Sequence, residues 1–512
     1  MKAKSDFIRR NFLVEELKKL RNGSDIRGIA IDTADYKANL TVATISKIAH
    51  GIIRWLETKG IKEPFTIGIG RDSRLSGPAL KKALIDQFVA SGVQVYDFDL
   101  ATTPALFMST QFEKFSCDAG IMLTASHLPY YHNGVKVFSK EGGAEAEDID
   151  YILSHTEKVT ATSKGSITSA DLLSPYAADL VEKIRNGISG KPEQPLAGYK
   201  IIVDAGNGAG GYFVDKVLKV LGADTSGSQF LEPDGNFPNH IPNPDNQAAM
   251  ASIQKAVLAN QADLGVIFDT DVDRSAVVTK EGDALNRNNL IAVLSRIVLS
   301  EHPGTSIVTN SPTSDHLKIF IESLGGKQVR YISGYRNVIN KAIDLNKAGV
   351  DTQLAIETSG HAAFKENYFL DDGAYVIAKI LMLLPKLKEE GRTLDSLIAD
   401  LKQPEETQEV RFKLETENYR ALGEKVIADI ADIKISGWTV DPENEEGIRF
   451  SLKEPFGQGW FLLRMSLHEP LLVLQVENDQ AGFIVPVITE ISKFLAHYPE
   501  VNQEKLKNLL NK

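Results

Sequence analysis

A single cysteine, Cys117, stands in the whole chain. It can close no intrachain disulfide and build no cysteine zinc cluster. A reducing, cytoplasmic setting is therefore the expectation. Long apolar runs are also missing, since none approaches the roughly 18 residues a membrane span needs. The first twenty residues, MKAKSDFIRRNFLVEELKKL, carry cations but no sustained apolar core, so they do not read as a secretory signal. Asp6, Glu15 and Glu16 count against a transit peptide. Instead Phe7, Phe12, Leu13, Leu17 and Leu20 suggest an amphipathic helix. Basic charge is short as well: Lys and Arg number 57 against 68 Asp and Glu, for a formal net charge of −11. A nucleic-acid binder would need a basic face, and none is expected here. An anionic ligand must be met by a local cluster of Arg, Lys or metal. Low-complexity segments and short-period repeats are absent too.

What is present is an ordinary globular composition, 43% hydrophobic and 24% charged over 512 residues. That length predicts roughly three to five domains. One longer pattern recurs: an apolar, β-rich run, a loop of Gly, Asp or Ser, then a helix-like stretch. FTIGIGRDSR (65–74), YKIIVDAGNGAGG (199–211), LGVIFDTDVDR (264–274) and SIVTNSPTSDH (306–316) all begin this way. Continuous apolar strands alternating with helices imply strands buried on both faces, in parallel or mixed α/β layers. Ligands bind such sheets at the loops beyond the strand carboxyl ends. GKPEQPLAG (190–198), VLSEHPGT (298–305) and the polar LKQPEETQEV (401–410) read as connectors. The last segment, with WFLLRMSL, PLLVLQVE and the helical VITEISKFLAHY, reads as a smaller α+β domain.

Two loops carry chemistry. In AGIMLTASHLPYYHNGVKVF (119–138) an apolar strand runs into Thr124, Ala125 and Ser126. A serine at a strand end is placed to act as a nucleophile or phosphoryl carrier. Serines also begin turns, and taken alone that plainer reading is the commoner one. Lys136 follows on an extended segment and supplies a cation. In the acidic loop, Asp269, Asp271 and Asp273 alternate directly after a buried strand. Carboxylates so close repel one another unless a cation joins them. An oxygen-only set selects a hard ion such as Mg²⁺. Arg274 adds a fixed charge suited to phosphate. An EF-hand is excluded, because its Gly and distal Glu are not at the required offsets. The plain alternative is a solvated acidic turn. DAGNGAG (204–210) lacks the GxGxxG spacing and reads as a tight strand–helix turn rather than a dinucleotide site.

Together these loops resemble those of the α-D-phosphohexomutases, the family of phosphomannomutase, phosphoglucomutase and phosphoglucosamine mutase. TASHLPYYHNGVK is similar to the family's TASHNPxxYNGxK, and DTDVDR to its metal motif DGDxDR. IETSGHAAF (356–364) resembles the sugar loop GExSGH, and RMSLHEP (464–470) the phosphate loop RxSGTEP. Shorter echoes, NGSDIRG, GRDSR, TTP, DAGNGAG and PDGNFPNHIPNP, fall in the expected order across nearly the whole chain.

The resemblance implies a four-domain α/β architecture, three mixed α/β-sheet domains plus a smaller α+β C-terminal domain around a central cleft. Residues 1–165 would carry the phosphoserine loop, 166–300 the metal loop, 301–402 the sugar loop and 403–512 the phosphate loop. Ser126 would be the phosphorylated serine, and it would bind Mg²⁺ together with Asp269, Asp271 and Asp273. Arg27, Lys136 and Arg274 would sit beside the transferring group as proton relays or charge stabilisers. His127, Glu357, Ser359 and His361 would contact the sugar. Arg464, Ser466 and His468 would hold the remote phosphate. The implied activity moves a phosphoryl group between C1 and C6 of a hexose, with a hexose 1,6-bisphosphate as intermediate and activator. The implied partner is a hexose phosphate, with no nucleic acid and no membrane, and the implied assembly a monomer or homodimer.

The chain also departs from the pattern. Leu128 replaces Asn in the serine loop, and Thr270 replaces Gly in the acidic loop, where a non-glycine restricts the backbone. Leu467 and His468 replace Gly and Thr in the last loop. Leu472 and Val473 stand where a further Arg or Lys is usual, a loss that weakens the grip on phosphate by about 1–3 kcal/mol. These changes bear on substrate and turnover more than on fold. Alternatives therefore remain: phosphoglucosamine mutase, a metal-dependent phosphatase using the acidic loop alone, or a non-catalytic sugar-phosphate-binding protein.

Overall fold

A computed structural model gives the fold of residues 14–190, 192–467 and 469–510. Phe7, Phe12 and Leu13 of the expected N-terminal helix lie outside the described residues. Residues 14–18 are helical, and Leu17 and Leu20 are buried in the first core. The chain forms two compact units, one of Met1–Leu290 with Ser359–Asp395, the other of Ile291–Thr358 with Ser396–Lys512.

The first unit holds an eight-stranded mixed sheet. Its order is Arg21–Asn22, Asp25–Ile29, His132–Ser139, Ala119–Leu123, Thr66–Arg71, Gln94–Leu100 and Ile167–Ser169, with Gly142–Gly143 beside His132–Ser139. The middle is parallel: Thr66–Arg71 pairs in parallel with Ala119–Leu123 on one side and Gln94–Leu100 on the other. Ala119–Leu123 is buried along its whole length, as its unbroken apolar run requires. Helices Val42–Thr58, Gly77–Ala90 and Ala146–Ser154 cover the sheet, and Ile48, Ile52, Ile67, Ile121 and Val135 lie in their common core.

A second sheet in this unit runs Ala284–Leu285, Ser275–Thr279, Leu264–Phe268 and Ile201–Asp204. Leu264–Phe268 is parallel to Ile201–Asp204 and antiparallel to Ser275–Thr279. The acidic loop is thus the turn joining two neighbouring, fully buried strands. The stretch after DAGNGAG forms a short π-helical turn, Val214–Leu218, rather than a regular helix. An antiparallel pair, Ala362–Phe364 with Leu370–Asp371, leads into helix Gly373–Glu389.

In the second unit, Ser306–Asn310 lies between Lys327–Tyr331 and Thr352–Ile356, all parallel. The C-terminal sheet is antiparallel, in the order Glu406–Lys413, Leu471–Asn478, Gly459–Met465, Ile448–Leu452 and Trp438–Val440. Its first strand begins inside the polar stretch 401–410, because its exposed face alternates polar residues with the buried Val410 and Phe412. Trp438 packs edge-on against Phe456 and Phe461 in the core of this sheet. The folds of both units are mixed α/β.

Two outcomes follow from this packing. A Cβ at Gly51 would sit 2.0 Å from the carbonyl oxygen of Ile152 on the facing helix. Gly51→Ala is therefore expected to cost about 1–3 kcal/mol, read as a lower urea midpoint at unchanged m. Burial pushes the Cys117 thiol up to about 12. The native protein should resist iodoacetamide at about pH 8 and react fully once unfolded.

Candidate active site

The serine loop is built from below by a neighbouring strand end. Asp72 follows strand Thr66–Arg71, and its Oδ2 accepts from Thr124 Oγ1 (2.8 Å) and from Arg74 Nε (3.2 Å). Thr124 Oγ1 in turn accepts from the Ser126 amide (2.9 Å). Arg74 is wholly buried. Its Nη1 donates to the carbonyls of Pro129 (2.8 Å) and His132 (3.0 Å), and its Nη2 to those of Ser126 and Leu128 (2.7 Å). One side chain thereby ties together four carbonyls along the loop's irregular path. Within this cage Ser126 takes a left-handed backbone, φ 50°, which costs an L-residue about 1–3 kcal/mol.

The acidic loop is held as tightly. Its left-handed residue is Val272, φ 66°, not Thr270 where the family glycine was expected to matter. A β-branched residue there is strained. The Gly373 amide holds it by donating to the Val272 carbonyl (3.0 Å). Gly208 of DAGNGAG explains that motif. A Cβ there would lie 2.7 Å from Thr270 Cα, and the next amide, Ala209, donates to the Thr270 carbonyl (2.8 Å). The Thr103 amide donates to the Asp271 carbonyl (2.9 Å), and its hydroxyl to Asp271 Oδ2.

These two loops meet. Ser126 Oγ donates to Asp269 Oδ2 (2.9 Å) and accepts from Arg274 Nη2 (2.7 Å). Arg274 also donates from Nε (3.1 Å) and Nη2 (3.0 Å) to Asp269 Oδ2. Its Nη2 lies 2.7 Å from His127 Nδ1. A guanidinium only donates, so Nδ1 accepts and His127 is neutral with its proton on Nε2. Burial and the charges of Arg274 and Arg27 hold His127 well below its ordinary value, in agreement. Lys136 Nζ is 3.3 Å from both Asp25 Oδ2 and Asp273 Oδ2, and Arg27 Nη2 is 3.0 Å from Asp25 Oδ2. His361 Nδ1 contacts Asp371 Oδ2 (2.5 Å) and stands 3.9 Å from Asp273 Oδ1. Ser126, His127, Arg27, Lys136, the three aspartates, Arg274 and His361 thus form one cluster in the first unit, which also contains Ser359.

Electrostatically the cluster wants a cation. Asp269, Asp271 and Asp273 are fully buried, and a carboxylate oxygen from each lies within 4.8 Å of the others. Burial, then the charges of Asp273 and Asp271, raise Asp269 well above the usual carboxylate range. Burial and the Asp273 charge push Asp271 up to about 6. Burial opposes ionisation of Asp273 as well, but Lys136, His361 and Arg274 hold it low. Asp271 Oδ1 and both oxygens of Asp273 are buried and accept no hydrogen bond from the described residues. Buried carboxylate oxygens without donors fit a hard divalent ion.

The remaining expected residues lie in the second unit. Glu357 Oε1 accepts from the Gly334 amide (2.7 Å). Arg464 Nη1 stands 3.6 Å from Glu446 Oε1, and Ser466 Oγ accepts from the Glu469 amide (3.3 Å). His468 lies outside the described residues. The roles of Asp25, Asp72, Arg74, Thr103 and Asp371 were not read from the sequence. Arg74 had a signal, a charged pair set directly behind an apolar strand. Asp371 had none, because its partner His361 is brought to it only by strand pairing.

Three family models match the chain, described as phosphoglucomutase/phosphomannomutase, alpha/beta/alpha domains I, II and III, over residues 18–163, 175–282 and 286–404. The chain is 32% identical over 466 residues to a phosphoglucomutase of Neisseria gonorrhoeae, covering 90% of this chain and 93% of that protein. It is 32% identical over 457 residues to the phosphomannomutase/phosphoglucomutase of Pseudomonas aeruginosa PAO1, covering 89% and 90%. Among solved structures, a phosphoglucomutase/phosphomannomutase family protein of Burkholderia thailandensis superposes with a TM-score of 0.77 at 27% identity, covering 95% of this chain and 99% of that one.

Saturating Mg²⁺, at about 100 times its Kd, should stabilise the protein by about 2.7 kcal/mol. Asp273→Asn removes one charged donor of the set and should lose most of that response in a thermal melt. A native protein whose Tm ignores divalent ions would contradict the metal reading.

Proposed function

The chain belongs to the α-D-phosphohexomutase family, as a phosphohexomutase enzyme, and we propose that it interconverts hexose 1- and 6-phosphates of the mannose or glucose type through a phosphoserine at Ser126. The observation that carries this reading is the setting of Ser126 Oγ between the Asp269 carboxylate and the Arg274 guanidinium, 2.9 and 2.7 Å away. Phosphoryl transfer asks mainly for positioning and charge neutralisation. Asp269, Asp271 and Asp273, with phosphorylated Ser126, would hold Mg²⁺, which would supply charge neutralisation for the transferring phosphoryl group. A free sugar hydroxyl attacks phosphorus, the bond from phosphorus to Ser126 Oγ breaks, and a hexose 1,6-bisphosphate forms. Lys136 and Arg27 relay the hydroxyl proton or stabilise the charge, and Arg274 steadies the same anion. The intermediate turns around, and Ser126 Oγ takes the other phosphoryl group, releasing the isomeric monophosphate. His127, Glu357, Ser359 and His361 contact the sugar, while Arg464, Ser466 and His468 hold the phosphate that is not reacting. The enzyme works in the cytoplasm, as a monomer or homodimer, with a hexose 1,6-bisphosphate as activator. Glucosamine phosphate is the alternative substrate.

One observation favours a second reading, binding without turnover. Leu467, in place of the family glycine, packs against Gly334, 3.1 Å from where a Cβ would stand. It puts an apolar side chain, 43% exposed, on a loop that would have to hold a phosphate.

A coupled assay separates the two. Mannose, glucose and glucosamine 1-phosphates are each supplied with Mg²⁺ and a trace of the matching bisphosphate. Isomerisation of at least one sugar is expected, and Ser126→Ala should reduce it at least about 10³-fold, the scale for loss of a covalent nucleophile. Full activity in the variant would overturn the phosphoserine role. Binding of every sugar without isomerisation of any would leave the second reading in place.

A further inference from the structure

Glu446 precedes strand Ile448–Leu452 and is 8% exposed. Its two oxygens do different things. Oε2 accepts from the Ser311 hydroxyl, the Ser333 hydroxyl (2.6 Å) and the Ser333 amide (3.2 Å). That oxygen is saturated, and it fixes the carboxylate in place. Oε1 faces the Arg464 guanidinium at 3.6 Å, inside ion-pair range but beyond a hydrogen bond. Arg464 keeps bonding capacity for something else: among the described residues its Nε is buried without a hydrogen-bond partner, and Nη1 reaches only the Met465 carbonyl at 3.3 Å. The loop that holds Oε2 is itself shared, since the amide after Ser333, Gly334, donates to Glu357 Oε1 (2.7 Å). A single loop, Ser333–Gly334, is therefore strung between the sugar-loop carboxylate and the carboxylate that faces Arg464.

We propose that Glu446 is a positioning residue that sets the strength of the Arg464 grip on the substrate's non-reacting phosphate. It acts through Arg464 and touches no substrate. This rests on the reading of Arg464 as a phosphate ligand. The carboxylate orients the guanidinium without consuming its donors, and its negative charge opposes the incoming dianion. The result is a site that holds phosphate loosely. Loose holding has a use where one bisphosphate must let go, turn and be held again at its other end. A pure structural glutamate would need only Oε2 and its three donors, and would have no reason to present a second oxygen to an arginine at ion-pair distance.

Glu446→Gln tests this, because a carboxamide oxygen still accepts from Ser311 and Ser333 while the charge beside Arg464 is gone. Inorganic phosphate is titrated calorimetrically into the full-length protein, the variant and Arg464→Gln. Glu446→Gln is expected to bind phosphate about tenfold more tightly, the scale of one partly screened charge–charge contact. Arg464→Gln should bind it at least about tenfold more weakly. In turnover, Glu446→Gln should lower KM and kcat for the hexose 1-phosphate together. Unchanged or weaker phosphate binding in Glu446→Gln at native Tm overturns the proposal. If that variant melts well below the native protein, Ser333→Ala, which removes one donor to Oε2 and keeps the charge, takes its place: binding should then stay within about twofold of native, and a tenfold change would overturn the charge argument. If the native protein isomerises no hexose phosphate but the phosphate affinities shift as expected, the mutase reading fails and the role of Glu446 stands.

Discussion

Asp269, Asp271 and Asp273 are held out of water within 4.8 Å of one another, and no arrangement of protein cations present satisfies them all. Arg274 and Lys136 supply two positive charges close by, yet three oxygens of the set still accept no hydrogen bond among the described residues. A fold would not keep such a cluster for its stability, since buried unpaired charge is among the most costly things a core can contain. The rest of the first unit can be understood as the framework that prevents this cluster from relaxing. The strands on both sides of the acidic loop are apolar and fully buried, so they cannot slide to let the carboxylates reach solvent.

Two of the left-handed non-glycine residues fall in the same place and have the same origin. Val272 is left-handed in the acidic loop, and Ser126 is left-handed in the serine loop. Neither residue type favours that region, and each is over-determined by contacts on either side. Gly373 clamps the carbonyl of Val272, while Arg74 gathers the carbonyls around Ser126. Replacing the family glycine by Thr270 proved harmless to the loop's path, because Gly208 and Ala209 supply the close approach and the hydrogen bond from outside it. The constraint moved from the loop's own sequence to its neighbour's.

This is also why some of the site was legible in the sequence and some was not. The acidic loop and Ser126 are local signals: reactive residues placed directly after unbroken apolar runs, and both stand where parallel strands end. The alternation of strand and helix declared the mixed α/β layers for the same reason, since two-sided burial leaves no polar positions in a strand. Contacts made across the fold left no such trace. Nothing near Asp25 in the chain shows that it will share Lys136 with Asp273. Nothing near Asp371 shows that it will meet His361. The polar stretch 401–410 misled, because the edge strand it contains buries only alternate residues and so resembles a connector in composition.

The last loop shows how a departure from pattern is best weighed. Counted as residues, Leu467, Leu472 and Val473 remove a glycine and a cation from a phosphate site, which argues for a weakened or abolished function. Counted as structure, Leu472 and Val473 are buried strand residues, 0% and 3% exposed, paired against Met465 and Arg464. Leu472 faces the core of this sheet, and a cation there would have to leave it, whereas Val473 shares the opposite face with Arg464. The change at Leu472 therefore belongs to the packing of the antiparallel sheet, and on the proposed reading the charge offered to phosphate comes from the neighbouring strand, from Arg464 and the carboxylate that faces it. If Arg464 holds phosphate as proposed, affinity in this unit is a balance between those two groups, and a single charge on Glu446 would shift it without any change in the residues that touch the ligand.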